Sequence, residues 1–235
     1  MMKQPVKTRV LLFSAAFALT ACGGGGGETA SVDLAQPVEV VIDGVATISA
    51  ARLGSLLRAV PVEPLSAAEQ TSLVFMREEE KLARDVYVYL DSLWGASVPT
   101  FTNIAKSEAT HMASILTLLQ RYALPDPAAA TGLGQFADPR LQVLYDQLVV
   151  GGSVSLVEAL KVGAAIEEID IIDLQAAQAI VDNRDIRLVY ESLLSGSRNH
   201  LQAFVRALQQ QGVVYTPQYL TPAEYAARSE ERRVG

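Results

Sequence analysis

Apolar residues recur in steps of three and four over four long stretches of this chain, which predicts four amphipathic helices, each with one apolar seam. The seams read Leu73, Met76, Glu80, Ala83, Tyr87, Leu90, Trp94; then Phe101, Ile104, Glu108, His111, Ile115, Leu118, Tyr122. The third reads Leu156, Leu160, Gly163, Glu167, Asp170, Leu174, Ala177, Val181, and the fourth Ile186, Tyr190, Leu193, Ser197, His200, Phe204, Ala207. Each seam is interrupted by polar residues near its middle, where a bundle helix ordinarily carries Leu or Ile.

Start and stop signals place the boundaries. Ser66-Ala67-Ala68-Glu69 is a capping box that opens the first helix, which runs to about Trp94 before Gly95 and Pro99 break the chain. The second spans about Thr100 to Tyr122 and is stopped by Pro125 and Pro127. A short helix is predicted from Pro139 to Val150, closed by Gly151-Gly152. Ser155-Leu156-Val157-Glu158 reads as a second capping box, giving Glu158 a capping role, and opens a helix to about Val181. Asn183 or Asp185 opens the last, which ends by Gly212. Links within each pair are short, so each pair is an antiparallel hairpin, whereas the link between pairs is about thirty residues. The expected fold is all-α: a four-helix bundle over residues 65–212 with one long crossover between helices two and three, long enough for one well-buried core. Thr221-Pro222-Ala223-Glu224 looks like a further capped turn in a C-terminal tail, 213–235. There Tyr219, Leu220 and Tyr225 are placed to fold back, and the charged end is expected to fray.

Both histidines of the chain, His111 and His200, fall at seam interruptions. Four seams that meet would gather Glu80, Glu108, His111, Glu167, Asp170, Ser197 and His200 at one depth, because Glu-x-x-His spacing puts both side chains on one helix face. Glu78-Glu79-Glu80 read alone is a solvated face, and Glu79 and Arg84 are expected at the surface or just outside the site. A lone Glu-x-x-His is common by chance; the coincidence of four interruptions is what carries the reading. A buried unpaired carboxylate costs several kcal/mol, and no seam position holds Lys or Arg. Two divalent cations would neutralise four carboxylates and leave two imidazoles as further ligands. Mixed oxygen and nitrogen donors suit iron or manganese better than calcium or a structural zinc.

The chain begins with Lys3, Lys7 and Arg9 and no acid, followed by an apolar run too short to span a bilayer, which predicts an export signal over 1–21. Leu19-Thr20-Ala21-Cys22 resembles the lipobox of bacterial lipoproteins, which implies that Cys22 is lipidated. Cys22 is the only cysteine and has no intrachain disulfide partner; Gly23 rather than Asp after it implies the outer membrane of a bacterial envelope. Without residues 1–21 the chain holds 16 basic and 26 acidic residues, a net charge of −10, which argues against nucleic-acid partners and for membrane attachment through the lipid anchor. Residues 22–64 are expected to be a Gly-rich tether and a semi-ordered spacer, with a short hairpin around Val38 to Val45 that has no evident core.

The motif Glu80-Lys81-Leu82-Ala83-Arg84 with Tyr87, then Phe101, Ile104-Ala105, Glu108 and His111, resembles the first two helices of rubrerythrin-type ferritin-like proteins. Glu167 and Asp170 are similar to that group's paired third-helix carboxylates. Arg77 through Tyr87 and Gly196-Ser197-Arg198-Asn199-His200-Leu201 resemble a bacterial ferritin-like domain of unknown function, number 2202, across roughly Leu65 to Gln210. The resemblance implies a dinuclear iron site, with manganese or zinc as substitutes, that reacts with peroxide or dioxygen in peroxide reduction or ferrous iron oxidation. Tyr87 is then a candidate catalytic residue, bonding a ligating carboxylate or reducing a reactive oxygen species. Ser197 stands where rubrerythrin-like proteins carry a fourth-helix Glu, which puts the second metal position in doubt. No Cys-rich rubredoxin-like segment is present, so an electron donor must be another molecule. The alternative is a non-catalytic metal-binding or structural envelope protein with an incomplete site.

Overall fold

Capping chemistry at Ser66 starts the longest helix of the molecule, seen in a computed structural model that describes residues 39–42 and 45–230. The elements in order are β1 (Glu39–Ile42), β2 (Val45–Ile48), α1 (Ala50–Ala59), α2 (Ala67–Trp94), α3 (Thr100–Arg121), α4 (Pro139–Gly152), α5 (Leu156–Ile180), α6 (Arg184–Gln210) and α7 (Pro222–Glu230). The described residues are thus predominantly helical. The expected signal segment, Cys22, the glycine tether and the last five residues lie outside them.

Four long helices form the core. α2 packs on α3 and α5 on α6, and the pairs meet through α2 with α5 and α3 with α6. Both capping-box oxygens are in place at the start of α2: Ser66 Oγ accepts the Glu69 N–H at 3.2 Å and Glu69 Oε2 accepts the Ser66 N–H at 2.8 Å. The other Glu69 oxygen accepts the N–H groups of Asp182 and Asn183, each at 3.2 Å, fastening the α5–α6 turn to the start of α2. At α5 only half of the expected box forms. Ser155 caps the Glu158 N–H, but the Glu158 carboxylate turns outward to Lys161 at 2.8 Å. Asn183 stands at the N-cap of α6 without a side-chain cap bond, its amide going instead to Glu63 O and Tyr122 Oη.

The crossover is held by charged groups on α2. Glu78 accepts the N–H groups of Ala137 and Asp138 at 2.5 and 2.9 Å, just ahead of α4. Lys81 donates to the carbonyls of Gly132 and Gln135 and pairs with Asp85, which accepts the Gly134 N–H at 2.8 Å. A loop crossing a helix face leaves backbone groups that need partners, and this face supplies them. Trp94 Nε1 donates to Gly152 O at 3.0 Å and closes the far end.

The region expected as a semi-ordered spacer is different. β1 and β2 form an antiparallel ribbon with Glu39 opposite Ile48, and α1 buries Leu53, Leu56 and Leu57 in the common core. The Ile48 N–H donates to Thr110 Oγ1 on α3 at 2.9 Å, and β2 also reaches α6. The core missing from the sequence reading is supplied by α3 and α6. In the tail, Tyr215 and Leu220 are buried, Tyr225 packs against the core, and Tyr219 stays exposed.

One close approach positions the site. Gly163 on α5 lies against Phe204 of α6, whose ring contacts Tyr87 and Phe101 at centroid distances of 5.2 and 5.6 Å. A Cβ at Gly163 would fall well inside contact distance of the Phe204 ring. Gly163→Ala is therefore expected to cost about 1–3 kcal/mol through overpacking, read as a lower midpoint in urea. An unchanged midpoint would show that Phe204 has room to move.

Candidate metal centre

The four seam interruptions converge. Glu80 from α2, Glu108 and His111 from α3, Glu167 and Asp170 from α5, and Ser197 and His200 from α6 are all buried, none more than 6% exposed. Their meeting follows from the heptad registers: each seam faces the other three, so its polar middle has nowhere else to go.

Glu108 stands at the centre. Its Oε2 lies 2.9 Å from His111 Nδ1 and its Oε1 lies 2.7 Å from His200 Nδ1. Glu80 Oε2 flanks His111 Nδ1 at 3.3 Å, and Glu167 Oε2 flanks His200 Nδ1 at 3.5 Å. Each imidazole thus sits between the shared Glu108 and one carboxylate of its own, and the two rings stack at 5.3 Å. One Glu108 oxygen with the two ring nitrogens also forms a compact set, within 4.8 Å of one another, that could hold a metal ion.

These short contacts pair carboxylates with imidazoles through charge, and their direction is poor for hydrogen bonds. Nδ1 of both histidines and both oxygens of Glu80 lack a properly directed partner although they are buried and close together. Donor atoms that crowd one space without pointing hydrogens at each other suit a cation between them better than a proton. Among the described residues, the ion-pair partners of Glu80, Glu108 and Glu167 are the two imidazoles. His200 Nε2 meets Ser107 Oγ at 2.8 Å, which leaves Nδ1 as the free lone pair facing Glu108 and Glu167 when Nε2 carries the hydrogen. The residues present therefore fit a metal bound through carboxylate oxygens and Nδ1 nitrogens.

Asp170 and Ser197 form a side arm. The Ser197 hydroxyl contacts both Asp170 Oδ2 and Leu193 O, while Asp170 Oδ1 has no partner. One hydroxyl has one hydrogen, so it can donate to only one of them at a time. When Leu193 O takes it, Asp170 must bring its own proton. Tyr87, fully buried, reaches Glu167 Oε1 at 2.6 Å through its hydroxyl. This places Tyr87 beside the candidate ligand Glu167.

Charge follows the geometry. Burial alone would raise Glu108, but the two adjacent imidazoles override it and hold the carboxyl well below the usual range. Burial and the Asp170 charge push Glu80 well up, and burial with Glu167 pushes Asp170 up to about 8. Burial would lower His200, but Glu108 and Glu167 lift it to about 10; His111 rises well above its ordinary value for the same kind of reason. Burial, then Glu167 and Glu108, keep Tyr87 protonated. In the metal-free protein, Asp170 holds its proton up to about pH 8, while the unfolded chain releases it near its ordinary value of 3.8. Folding then retains protons that unfolding gives up, so stability falls as pH rises through that window. The raised histidines push the same way at higher pH. Metal-free protein is expected to melt at progressively lower temperature from about pH 5 to pH 8, and added metal to reverse the trend because cations replace protons. A metal-free melting temperature that climbs over this range would contradict the assignment.

Of the two places the sequence allowed Glu79, the structure takes the one just outside the site. Glu79 is not a surface residue but 8% exposed, with burial and the neighbouring Asp170 and Asp173 pushing its carboxyl well up. Glu78, Glu79 and Glu80 are all buried, each to a different side of α2. The three-residue spacing Glu167, Asp170, Asp173 was a signal for this and ran beyond the seam. Arg84 is half-buried and pairs with Asp85 at 2.5 Å, away from the centre.

The comparisons with known proteins give a family and a similar structure without naming a function. A family model described as "Uncharacterized protein domain (DUF2202)" matches residues 69–228. The chain is 48% identical over 169 residues to "Uncharacterized protein MJ0754" of Methanocaldococcus jannaschii, covering 72% of this chain and 90% of that one. The crystal structure of hypothetical protein MJ0754 from Methanococcus jannaschii DSM 2661 is similar at a TM-score of 0.70, covering 73% of this chain and 97% of that chain. The match spans all four helices that carry the buried carboxylates and imidazoles, and the chain belongs to the DUF2202 family.

Proposed function

We propose that this chain is a ferritin-like four-helix-bundle metalloprotein with a dinuclear carboxylate–histidine centre, in which iron reacts with peroxide or dioxygen. The observation that carries the reading is Glu108, whose two oxygens each face a different buried Nδ1 without hydrogen-bond direction. Glu108 would be shared by two cations, one held with Glu80 and His111 and the other with Glu167 and His200. Asp170, with one oxygen unpartnered and the other held by Ser197, would be a further oxygen donor. Iron held by these residues would supply the redox chemistry, and manganese would suit the same donors. Tyr87 orients Glu167 and offers a hydroxyl hydrogen beside it, while Phe101 and Phe204 exclude water. Electrons for peroxide reduction come from a separate donor; ferrous iron oxidation supplies its own.

The address belongs to the same proposal: export, lipidation at Cys22 and residence on the periplasmic side of the outer membrane. Among the described residues no helix is long and apolar enough to cross a membrane.

Ser197 favours a second reading, in which Glu108, His111 and His200 hold a single ion, iron or zinc, without turnover. Metal analysis of full-length protein purified without added metal separates the two. About two irons per chain with an absorption band that changes on oxidation supports the dinuclear reading. A single zinc supports the second, and no uptake of any divalent metal overturns both.

A further inference from the structure

Three acids on α5 lie three residues apart: Glu167, Asp170 and Asp173. Three residues fall short of a full helical turn by about 60°, so such a stripe winds around its helix. Here it winds outward: Glu167 is 1% exposed, Asp170 6%, and Asp173 half-buried at the protein surface. Across from its outer end stands Glu79 of α2, a residue the candidate centre does not use. The Glu79 carboxyl faces Asp173, Asp170 and Glu80, and its Oε2 is buried without a hydrogen-bond partner. No Lys or Arg among the described residues forms an ion pair with it or with Asp173.

That arrangement is costly for folding. A buried carboxyl set against other acids, with no partner for one oxygen, weakens the native state whether it is charged or protonated. Nor does Glu79 support the loop that crosses α2, since Glu78 and Lys81 do that. Glu79 Oε2, Asp170 Oδ1 and both Glu80 oxygens are buried without hydrogen-bond partners; Glu79 neighbours Asp173, Asp170 and Glu80, and Glu80 neighbours Asp170 and His111.

We propose that Glu79 and Asp173 form an entry station for divalent cations, which passes each ion inward over Asp170 and Glu80 to the Glu108 centre. The station rests on the metal-centre reading above. It takes hard or borderline dications, because it offers only carboxylate oxygens, and it holds them weakly, because it lacks the nitrogen donors found deeper in. Its function is kinetic. A converging acidic path concentrates cations at its mouth and speeds their capture, by about ten- to a thousandfold for steered association, while the final affinity is set by the inner ligands.

Cobalt(II) is a suitable probe, because its visible absorption reports arrival among nitrogen and oxygen ligands. Stopped-flow uptake by metal-free full-length protein is compared for wild type, Glu79→Gln, Asp173→Asn and, as a charge control, Glu158→Gln on an exposed part of α5. Glu79→Gln keeps the size and removes the repulsion the carboxylate meets on ionising beside Asp170 and Asp173, so it is expected to fold at least as stably as wild type. Glu79→Gln and Asp173→Asn are each expected to slow uptake about tenfold or more and to reach the wild-type stoichiometry and final spectrum. Glu158→Gln is expected to load at the wild-type rate. Unchanged rates in the first two variants overturn the station. So does equal slowing in Glu158→Gln, which would make net charge the cause, or a lower final occupancy in Glu79→Gln, which would make Glu79 a ligand. If wild type itself takes up no cobalt, the metal-centre reading fails first, and that result is distinct from the others.

Discussion

Glu108→Gln is expected to abolish metal binding, emptying both positions together in the proposed dinuclear arrangement and lowering affinity by well over about 100-fold. Loss of a partner that merely orients a ligand already costs 10- to 100-fold, and Glu108 faces both Nδ1 nitrogens itself. Glutamine keeps the size and one acceptor oxygen but offers an amide to the other imidazole, so it cannot serve two cations. The substitution also removes the charge that holds both imidazoles protonated in the metal-free state, so both histidines should titrate lower. Glu80→Gln and Glu167→Gln provide the contrast. Each flanks only one imidazole, so each is expected to halve the stoichiometry in the dinuclear arrangement. In the single-ion arrangement neither should reduce it, whereas Glu108, His111 and His200 should each be essential. Titration calorimetry with metal analysis reads all of these. Full occupancy in Glu108→Gln, with activity lost, would remove Glu108 from the ligand set.

The second large effect concerns Glu168, the sequence neighbour of Glu167 and fully buried on the other side of α5. Its carboxylate accepts the Tyr215 hydroxyl at 2.7 Å and the N–H groups of Gln218, Tyr219 and Leu220 at 2.9, 2.6 and 2.9 Å. It satisfies a whole turn of backbone and pins the tail over the helix that carries Glu167 and Asp170. Hydrogen bonds to a charged group contribute about 1.5–3 kcal/mol each, though not additively. Glu168→Ala is expected to cost about 3–5 kcal/mol, unless the tail detaches and limits the loss. Either outcome exposes residues 213–226 to protease, so limited proteolysis and thermal melting together report it. A tail that stays resistant in a variant of undiminished stability would show that Tyr215 and Leu220 anchor it by apolar contact alone.

Local signals carried most of the helical framework. The Ser66 box, the Gly95 to Pro99 break, Pro139 at the start of α4 and the Ser155 cap are local chemistry, and the boundaries at α2, α3 and α4 follow from them within two residues. The same holds for the seam interruptions, because a heptad register records which side chains will face a core before its neighbours are known. Glu80, Glu108, His111, Glu167, Asp170 and His200 were legible on that account.

Residues outside a seam were not. Glu79 lies one position from Glu80, and the sequence left it either at the surface or just outside the site. It is buried because α5 and its acids cover its side of α2. The spacer was misread for the same reason: a short hairpin and a ten-residue helix have no core of their own, and their burial depends on a surface built far along the chain. Ser197 shows the division most plainly. From the sequence alone it is a missing ligand, whereas in three dimensions its hydroxyl holds Asp170 beside the centre. Spacing along a helix determines which face a residue occupies. Only the packing of the other helices decides whether that face meets water, backbone or another acid, because burial is a property of contacts between elements distant in sequence.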